Sequence, residues 1–315
     1  MNQKRTVIII IAVVVFVLLL LAAGIGAAVF LARKGPLGGG DIGLIRIEGV
    51  ITSGRGSSSF LGEGGAGAER IIDMLEEFRK NDSLKSLVLR INSPGGSAAG
   101  SQEIYQEIMR LRSEGKKVTV SMGDVAASGG YYIASAANRI YADPASLTGS
   151  IGVIMEAADI HELLNRFGVE LSAIKSGKHK DMGSFSRPMT PEERKIMQAL
   201  IDDVFDQFVT DVSKGRKLPK KEVLRLADGR VYTGRQALKL KLIDRTGSLE
   251  DALKAAAKDA GIKGEFDVVE FEREPGLMDL LLGSTNTTFP GSLRGNAALG
   301  NLARALLKAD LQMEL

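Results

Sequence analysis

An uninterrupted apolar run near the N-terminus restricts this chain more than any other feature. From Val7 to Ala32 the sequence reads VIIIIAVVVFVLLLLAAGIGAAVFLA, without a single charged residue. About 20 apolar residues in a helix cross the hydrocarbon core of a bilayer, whereas the apolar part of a signal peptide has roughly 7–15. The run therefore predicts one uncleaved transmembrane helix over residues 7–32. The alternative is a long signal peptide that is cleaved within the small residues 22–28.

The charges on either side of this run bear on its orientation. Lys4 and Arg5 precede it and two basic residues follow it, so the positive-inside rule is nearly balanced. A short N-terminal tail favours a cytoplasmic N-terminus. We therefore expect a single-pass protein of the plasma membrane, with residues 1–6 in the cytoplasm and the bulk of the chain outside it. The Gly-rich composition of residues 33–42 predicts a flexible linker.

Composition removes several classes of function. The chain has no cysteine, which excludes disulfides, thiolate metal sites and a cysteine nucleophile. Its net charge is +3 with acids and bases interleaved, so it lacks a basic stripe that neutralises phosphates, and no nucleic-acid partner is expected. Glycine motifs for phosphate or dinucleotide binding are absent from the sequence, and neither a cofactor nor a metal is expected.

Segments with strand and helix periodicity alternate through the rest of the chain. The segment 84–91 (LKSLVLRI) is nearly continuous in aliphatic residues, as a strand buried in a parallel sheet would be. Thr190, Pro191 and Glu193 form a capping box that opens a long helix. The alternation predicts an α/β fold with parallel strands. The predicted strands are 43–51, 84–91, 117–122, 139–142 and 151–155, and the other predicted helices include 69–80, 98–113, 131–137 and 249–260.

Three glycine-containing turns mark the place where chemistry could occur. They are Ser93–Ser97 (SPGGS), Ala127–Gly130 (ASGG) and Thr148–Gly152 (TGSIG), and the first two follow a strand and precede a helix. The carboxyl ends of parallel strands collect such turns, and backbone amides at a helix start can hold an oxyanion. Glycines that only make tight turns are the alternative for each turn taken alone. Three such turns in succession favour a site.

Ser128 is the candidate nucleophile within these turns. Its neighbours Ala127 and Gly129 are small, which leaves room for a substrate carbonyl. The amide of Gly129 is placed to meet an oxyanion at the start of a helix. Since a serine hydroxyl is a weak nucleophile by itself, Ser128 needs a base.

The base for Ser128 is a histidine or a lysine. The chain has two histidines: His161 lies in a charged helical stretch typical of a surface, and His179 lies among lysines with only Asp181 to orient it. A Ser-His-Asp triad is therefore the weaker interpretation. A lysine base must lose its proton, which desolvation favours. The segment 174–183 (IKSGKHKDMG) contains three lysines, and spacing alone does not choose among them. A solvated basic loop is the alternative for this segment.

Three motifs in order give the chain a family resemblance. They are Ile91–Gly96 (INSPGG), Gly123–Ala134 (GDVAASGGYYIA) and Leu147–Val153 (LTGSIGV). Together they resemble the signal peptide peptidase A family, in its short bacterial form with one membrane anchor, from about Leu44 to Ile262. The resemblance implies the fold of Clp protease and the crotonases, an α/β fold built as a ββα superhelix, preceded here by one transmembrane helix.

The resemblance also implies a serine endopeptidase with a Ser–Lys dyad. The motif places the nucleophile on Ser128, and the family's Gly-x-(Tyr/His)-Lys pattern, here GKHK, places the base on Lys180. Ser150 corresponds to the hydroxyl that orients the lysine, and Gly95 and Gly129 correspond to the oxyanion donors. The family forms homo-oligomeric rings, and in the short form the serine and the lysine can come from neighbouring subunits. The implied substrates are membrane-associated peptides, such as signal peptides left after secretion.

These expectations divide the chain into a peptidase domain over residues 43–262 and a C-terminal extension over residues 263–315. Two other interpretations stay open, a crotonase-like enzyme that binds acyl-CoA and an inactive membrane scaffold. One position departs from the family pattern, because Lys241 stands where similar sequences have glycine. If its φ is positive, the lysine costs about 1 kcal/mol relative to glycine.

Overall fold

The computed structural model describes residues 41–55 and 65–271 of the chain. Among these residues no helix is both long enough and apolar enough to cross a bilayer. The predicted cytoplasmic tail, transmembrane helix and nearly all of the predicted linker precede residue 41 and lie outside the described residues. Most of the predicted C-terminal extension, from residue 272 onward, also lies outside them.

Most strands of the described part belong to one sheet, in which every pairing but one is parallel. The strands are β1 (Ile42–Glu48), β2 (Ile51–Thr52), β3 (Ala66–Gly67), β4 (Ser86–Ser93), β5 (Lys117–Ala127), β6 (Arg139–Ala142), β7 (Leu147–Gly149), β8 (Val231–Thr233), β9 (Arg245–Thr246) and β10 (Val268–Phe271). The sheet runs in the order β10-β1-β4-β5-β6-β9. β7 pairs with the end of β5, and β8 pairs antiparallel with β7, whereas β2 and β3 form a separate pair.

Helices connect the strands and cover the sheet. They are α1 (Ala68–Lys80), α2 (Ala98–Ser113), α3 (Gly129–Ser135), α4 (His161–Arg166), α5 (Pro191–Arg216), α6 (Lys220–Leu226), α7 (Gly234–Lys239) and α8 (Leu249–Asp259). The capping box predicted from Thr190 and Glu193 is present at the start of α5. The sequence prediction of an α/β fold with parallel strands is thus confirmed.

Both faces of the sheet are covered, which explains why three successive residues of β4, Leu87–Leu89, are aliphatic and fully buried. On one face, α1 buries an apolar stripe at helical spacing, made of Ala68, Ile71, Leu75 and Phe78. On the other face, the small residues of α8 pack against alternate residues of the central strands, among them Leu44 and Val88. Successive side chains of one strand therefore enter two different layers of core.

Several predicted boundaries differ from the structure: the strand predicted at 117–122 extends to Ala127, and the helix predicted at 131–137 spans Gly129–Ser135. Two further differences are larger. The segment 151–155 is not a strand; the strand in this region is β7, which ends before Ser150. Leu147–Gly149 pairs with both β5 and β8, while the aliphatic residues after Ile151 are largely exposed and have no strand partner in the described chain. β10 lies within the predicted C-terminal extension, yet it pairs with β1 as the edge strand of the sheet. It is only four residues long, which is too short for periodicity to mark it in the sequence.

Lys241, which stands where similar sequences have glycine, does have a positive φ. Its φ is +60°, in the region that favours glycine. The backbone carbonyl of Lys241 accepts a hydrogen bond from the Arg216 side chain at 3.2 Å. Arg216 also makes a bidentate ion pair with Asp244. These bonds hold the turn in a conformation that costs lysine about 1 kcal/mol more than glycine.

Candidate active site

The register of the sheet brings the three predicted turns together. Ser93 at the end of β4 lies opposite Ala126 of β5, and Ala127 lies opposite Gly149 at the end of β7. The residues that follow these strands therefore leave the sheet side by side at its carboxyl edge. This is the edge at which open parallel sheets bind ligands.

Ser128 occupies a strained turn between β5 and α3. Its φ is +51° and its ψ is −120°, a combination that glycine adopts far more readily than serine. The amide of Ser128 donates to the carbonyl of Gly149 at 2.9 Å, and its carbonyl accepts from the amide of Tyr132 at 2.9 Å. The backbone is thus held from both sides. The hydroxyl makes no hydrogen bond within the described part of the chain, and the residue is half-buried.

Two of the predicted glycines lie in direct contact with this turn. A Cβ atom at Gly95 would lie 2.7 Å from the amide nitrogen of Gly129 and 2.8 Å from the Cβ of Ser128. A Cβ atom at Gly129 would lie 2.4 Å from the Oγ of Ser101. Glycine is therefore required at both positions by close approach, since no side chain fits there.

The amides near Ser128 differ in their partners. The amide of Gly95 donates to the Oγ of Ser93 at 3.1 Å, so it is already occupied. The amide of Gly96 donates no hydrogen bond within the described residues. It faces away from Ile51, because the bonds to that residue use the carbonyl of Gly95 and the amide of Ser97. The nitrogen of Gly96 lies 3.3 Å from the position that a Cβ at Gly129 would take.

Ser150 follows β7 directly beside Ser128. Its φ is also +51°, and its amide donates to the carbonyl of Arg230 at 2.9 Å. The carbonyl of the preceding Gly149 receives the amide of Ser128, so the backbones of the two serines are joined through one hydrogen bond. Ser150 is half-buried, and its hydroxyl has no hydrogen-bond partner within the described chain.

Lys180 lies apart from this cluster in a single chain. The segment 152–190 leaves the sheet after β7 and, apart from α4, contains neither helix nor strand. Lys180 is exposed on a turn of this segment, and its amide donates to the carbonyl of Gly177 at 3.1 Å. No hydrogen bond joins Lys180 to Ser128 in the described chain. The structure therefore brings together the predicted glycines and serines but leaves the predicted base outside.

The three lysines that sequence spacing leaves equivalent differ in their ion pairs in the structure. The ammonium of Lys175 lies 2.5 Å from the carboxylate of Asp181, and Lys178 pairs with Glu192. Lys180 makes no ion pair within the described residues. Its ammonium is therefore the one of the three that is free to reach another group.

Neither histidine is placed to serve Ser128. The Nδ1 of His161 lies 2.6 Å from Asp159 on the surface. The Nε2 of His179 lies 3.3 Å from Glu192, and Asp181, which could have oriented it, is bound instead by Arg187 and Lys175. The geometry gives no support to a Ser-His-Asp triad.

The segment after β7 also exposes an unusual amount of apolar surface. Ile174 is fully exposed, and Ile154 and Phe167 are 83% and 78% exposed. Other large apolar residues of the segment, among them Met155, Leu163, Val169 and Leu171, are at least half or nearly half exposed. Many large apolar side chains exposed along one segment suggest an interaction site.

Acidic and histidine side chains do not assemble a metal site in the described part of the chain, where no group of three or more metal-binding residues occurs. The groups that the structure brings together at the sheet edge are the hydroxyls of Ser128 and Ser150 and the backbone amides of Gly96 and Gly129.

Comparison with known proteins identifies the family of this chain. The sequence model of peptidase family S49 matches residues 110–263, and the model of Clp protease matches residues 65–148. A candidate protease of Synechocystis sp. is 48% identical over 188 residues, which cover 59% of this chain and 68% of that protein. This chain belongs to peptidase family S49.

Other relatives agree with this S49 assignment. Protease 4 of Salmonella typhi is 34% identical over 273 residues, covering 87% of this chain and 42% of that protein. The chloroplastic serine protease SPPA of Arabidopsis thaliana is 36% identical over 254 residues, covering 79% and 37%. The chain thus spans less than half the length of these two larger relatives. The resemblance to signal peptide peptidase A is confirmed, and the S49 member described here is a peptidase that acts on peptides.

Sequence reasoning missed three groups near the site. Gly96 stands beside the predicted Gly95, and its role depends on the direction of its amide, which sequence does not give. Arg187 binds both Glu193 and Asp181, the residue that follows Lys180. The only sequence signal for them was the capping box, which already singled out Glu193.

Proposed function

We propose that this S49 peptidase is a serine endopeptidase in which Ser128 is the nucleophile and Lys180 is the general base. One observation carries the proposal: the register of β4, β5 and β7 sets Ser128 between Ser150 and a glycine turn in which the amide of Gly96 is free. The strained backbone of Ser128 presents its hydroxyl at the start of α3. Strain of this kind concentrates at functional sites, where the surrounding structure enforces it.

The chemical steps follow from this placement. The neutral amine of Lys180 accepts the hydroxyl proton while Oγ of Ser128 attacks the carbonyl carbon of the scissile peptide bond. The tetrahedral intermediate collapses, the C–N bond breaks, and Lys180 donates the proton to the leaving amine. Water then attacks the acyl-enzyme with Lys180 again as base, which releases the new carboxyl end and restores the Ser128 hydroxyl.

The oxyanion of the intermediate needs two donors close to Ser128. The amide of Gly129 is the first amide of α3, and such amides have no partner within their own helix. We assign the second donor to Gly96 in preference to Gly95, because the Gly95 amide is bound to Ser93 and the Gly96 amide is free. Each such donor typically contributes about 3 kcal/mol to the transition state.

The choice of Lys180 as the base rests on the ion pairs that the two nearby lysines make. Lys175 and Lys178 are neutralised by carboxylates, so moving either to Ser128 would break an ion pair. The hydroxyl of Ser150 stands beside Ser128 and is free to accept a hydrogen bond from the lysine and orient it. This is the role that the family resemblance assigns to Ser150.

Lys180 reaches Ser128 of a neighbouring subunit in this proposal. In a single chain Lys180 is exposed, whereas a lysine that acts as a base must be desolvated. Assembly into a homo-oligomeric ring would cover the apolar segment after β7 and desolvate the lysine, which favours its neutral form. The exposed Ile174, Ile154 and Phe167 supply apolar area for that contact.

The proposed substrate class and the proposed cellular location of the protein rest on its apolar N-terminal sequence. The apolar run over residues 7–32 would hold the chain in the plasma membrane, with the peptidase domain on the extracytoplasmic side. A site tethered near the bilayer would meet membrane-associated peptides, and remnant signal peptides are the class we propose. A crotonase-like acyl-CoA enzyme and an inactive scaffold remain as outcomes that the experiment below separates.

The test uses the full chain purified in mild detergent and a fluorogenic apolar peptide. Ser128→Ala and Lys180→Ala should each lower kcat by about 10⁴-fold or more, whereas Lys178→Ala should stay close to the unsubstituted chain. A fluorophosphonate should label Ser128, as found by peptide mapping. Near-normal turnover in Lys180→Ala would exclude the dyad. Acyl-CoA binding without labelling would indicate the crotonase-like enzyme, and neither labelling nor hydrolysis would indicate a scaffold.

Mixing the two inactive variants tests whether the dyad is shared. If serine and lysine come from different subunits, co-assembled Ser128→Ala and Lys180→Ala chains form some sites with both groups intact. Activity should return to a measurable fraction of normal after subunit exchange. If both groups of a site came from one chain, every site in the mixed assembly would lack one of them and no activity would return.

A further inference from the structure

Arg187 lies at the centre of an ion-pair cluster beside the Lys180 turn. Its Nε donates to Oδ2 of Asp181 at 2.9 Å and its Nη2 donates to Oδ1 at 2.8 Å. Its Nη1 donates to Oε2 of Glu193 at 2.9 Å and its Nη2 donates to Oε1 at 2.6 Å. One guanidinium thus grips two carboxylates, each through two hydrogen bonds, an arrangement open to arginine and closed to lysine.

The two carboxylates belong to different structural units. Asp181 follows Lys180 directly in the chain, whereas Glu193 is the third residue of α5 and part of its capping box. Oε2 of Glu193 also accepts the amide of Thr190 at 2.9 Å. Glu193 is almost fully buried, with 3% of its side chain exposed. Arg187 therefore ties the Lys180 turn to the N-terminus of a long helix.

The far half of that helix is built into the core. Phe208, Val209 and Val212 of α5 are buried, and the ring of Phe208 stacks on Tyr132 of α3 with centroids 4.4 Å apart. The hydroxyl of Tyr132 donates to Asp211 of α5 at 2.6 Å. The first half of α5 is mostly exposed and projects from this packed region. α5 is thus the rigid mount that carries the Lys180 turn.

We infer that Arg187 is a positioning residue that holds the Lys180 turn on α5 and so sets the direction in which the lysine is presented to the nucleophile. This inference rests on the proposed role of Lys180 as the base. A long flexible side chain that must meet a hydroxyl within hydrogen-bond distance gains from a rigid base, because misplacement by about 1 Å can lower a rate about 100-fold.

Two substitutions of Arg187 can separate its effect on the position of Lys180 from the effect of its charge on that lysine. Arg187 offsets two carboxylates, so its loss would leave the surroundings of Lys180 more negative, which favours the protonated lysine. The charged and titratable groups of the turn and of the helix that it meets are Lys175, Lys178, His179, Asp181, Arg187, Glu192 and Glu193. Substitution by lysine keeps the positive charge and removes the double bidentate grip, whereas substitution by glutamine removes both.

The experiment compares Arg187→Lys and Arg187→Gln in the full chain, with Arg139→Lys as the matched control. Arg139 pairs with Asp259 at 3.1 Å at the opposite edge of the sheet and is 34% exposed, against 29% for Arg187. We expect Arg187→Lys to lower kcat about 100-fold with KM changed less than about twofold. Its acidic limb in the pH profile of kcat/KM should stay in place. Arg187→Gln should lower kcat at least as much and move that limb to higher pH.

The outcomes separate this inference from the proposed function. If Lys180→Ala is inactive and Arg187→Lys turns over like Arg139→Lys, the positioning role is wrong and the dyad stands. If Lys180→Ala is active, the proposed function itself fails. The melting temperature and the assembled mass are measured for each variant. A fall in kcat that merely follows loss of folded assembly would overturn the positioning role, and Arg187→Lys with normal mass and melting but low kcat would support it.

Discussion

At the scale of single residues, the backbone of this peptidase stores strain where the chemistry is proposed. Four non-glycine residues have positive φ in the described part of the chain: Ser128, Ser150, Lys217 and Lys241. Lys217 ends α5 in the left-handed conformation common at helix C-termini. The two serines are the ones that flank the sheet edge. A glycine would fit either place more easily, so the hydroxyl is retained there at a cost in stability.

This strain makes a prediction for Ser128. Ser128→Gly relieves the φ of +51° and should unfold with a free energy about 1 kcal/mol higher than Ser128→Ala, after allowing for the greater freedom of glycine in the unfolded chain. Both variants should lack hydrolytic activity. Thermal unfolding followed by circular dichroism would show the difference as a melting temperature roughly 2–4 °C higher.

The neighbouring position supplies the control for that comparison. Ala127 belongs to β5, where the backbone is extended and glycine has no advantage. Ala127→Gly should therefore lower stability by about 0.5–1 kcal/mol. A Ser128→Gly variant that melts below Ser128→Ala would mean that the turn is not strained.

At the scale of elements, the docking of the Lys180 turn on α5 depends on two ionised carboxylates. Hydrogen bonds from Arg187 and from the amide of Thr190 lower the pKa of Glu193 to about 2. Arg187 and Lys175 also hold the pKa of Asp181 well below its usual range. Because these pKa values are depressed in the docked state, the stabilisation is complete above the ordinary carboxyl range and is lost as pH falls toward the depressed values.

A spin label can follow this release. The chain has no cysteine, so Lys180→Cys provides a single attachment point on the turn. The label should be immobile near pH 6 and become mobile as the pH falls from about 4.5 toward 2. The same label combined with Arg187→Gln should be mobile throughout this range. A label whose mobility is independent of pH in both chains would contradict the docked turn.

At the scale of the whole molecule, the single chain holds an incomplete site and an uncovered apolar segment. The assembly with further copies that we propose, through the segment after β7, would account for both features. Phe167→Asp combined with Ile174→Asp places charges on side chains that are 78% exposed and fully exposed in the single chain. The double variant should keep its fold, lose assembly and lose hydrolysis to the level of Lys180→Ala.

The measurement is the mass in solution by light scattering, together with turnover of the peptide. Leu224→Asp is the control, because Leu224 is 46% exposed and belongs to α6 rather than to the segment after β7. It should keep the mass and the activity of the unsubstituted chain. If the double variant also kept both, the segment would not be the assembly surface.

Local sequence patterns were sufficient to predict many of the helices and strands of this molecule. The helix over residues 98–113 and the capping box at Thr190 follow from spacing that acts within a few residues, and both are present as predicted. The glycine turns could be placed at strand ends for the same reason. The strand assigned to 151–155 was wrong: Ile151 is buried, but Ile154 and Met155 are exposed and have no strand partner in the described chain.

Tertiary structure decided the details of the candidate site. Spacing alone made Ser128 the candidate nucleophile and did not choose among the three lysines, and the family resemblance pointed to Lys180. The ion pairs that leave Lys180 free join residues whose contacts depend on the folded turn. The preference for the Gly96 amide over that of Gly95 depends on backbone direction, which two adjacent glycines leave open. Registers and amide directions are set by packing between distant strands, so only the assembled sheet could fix them.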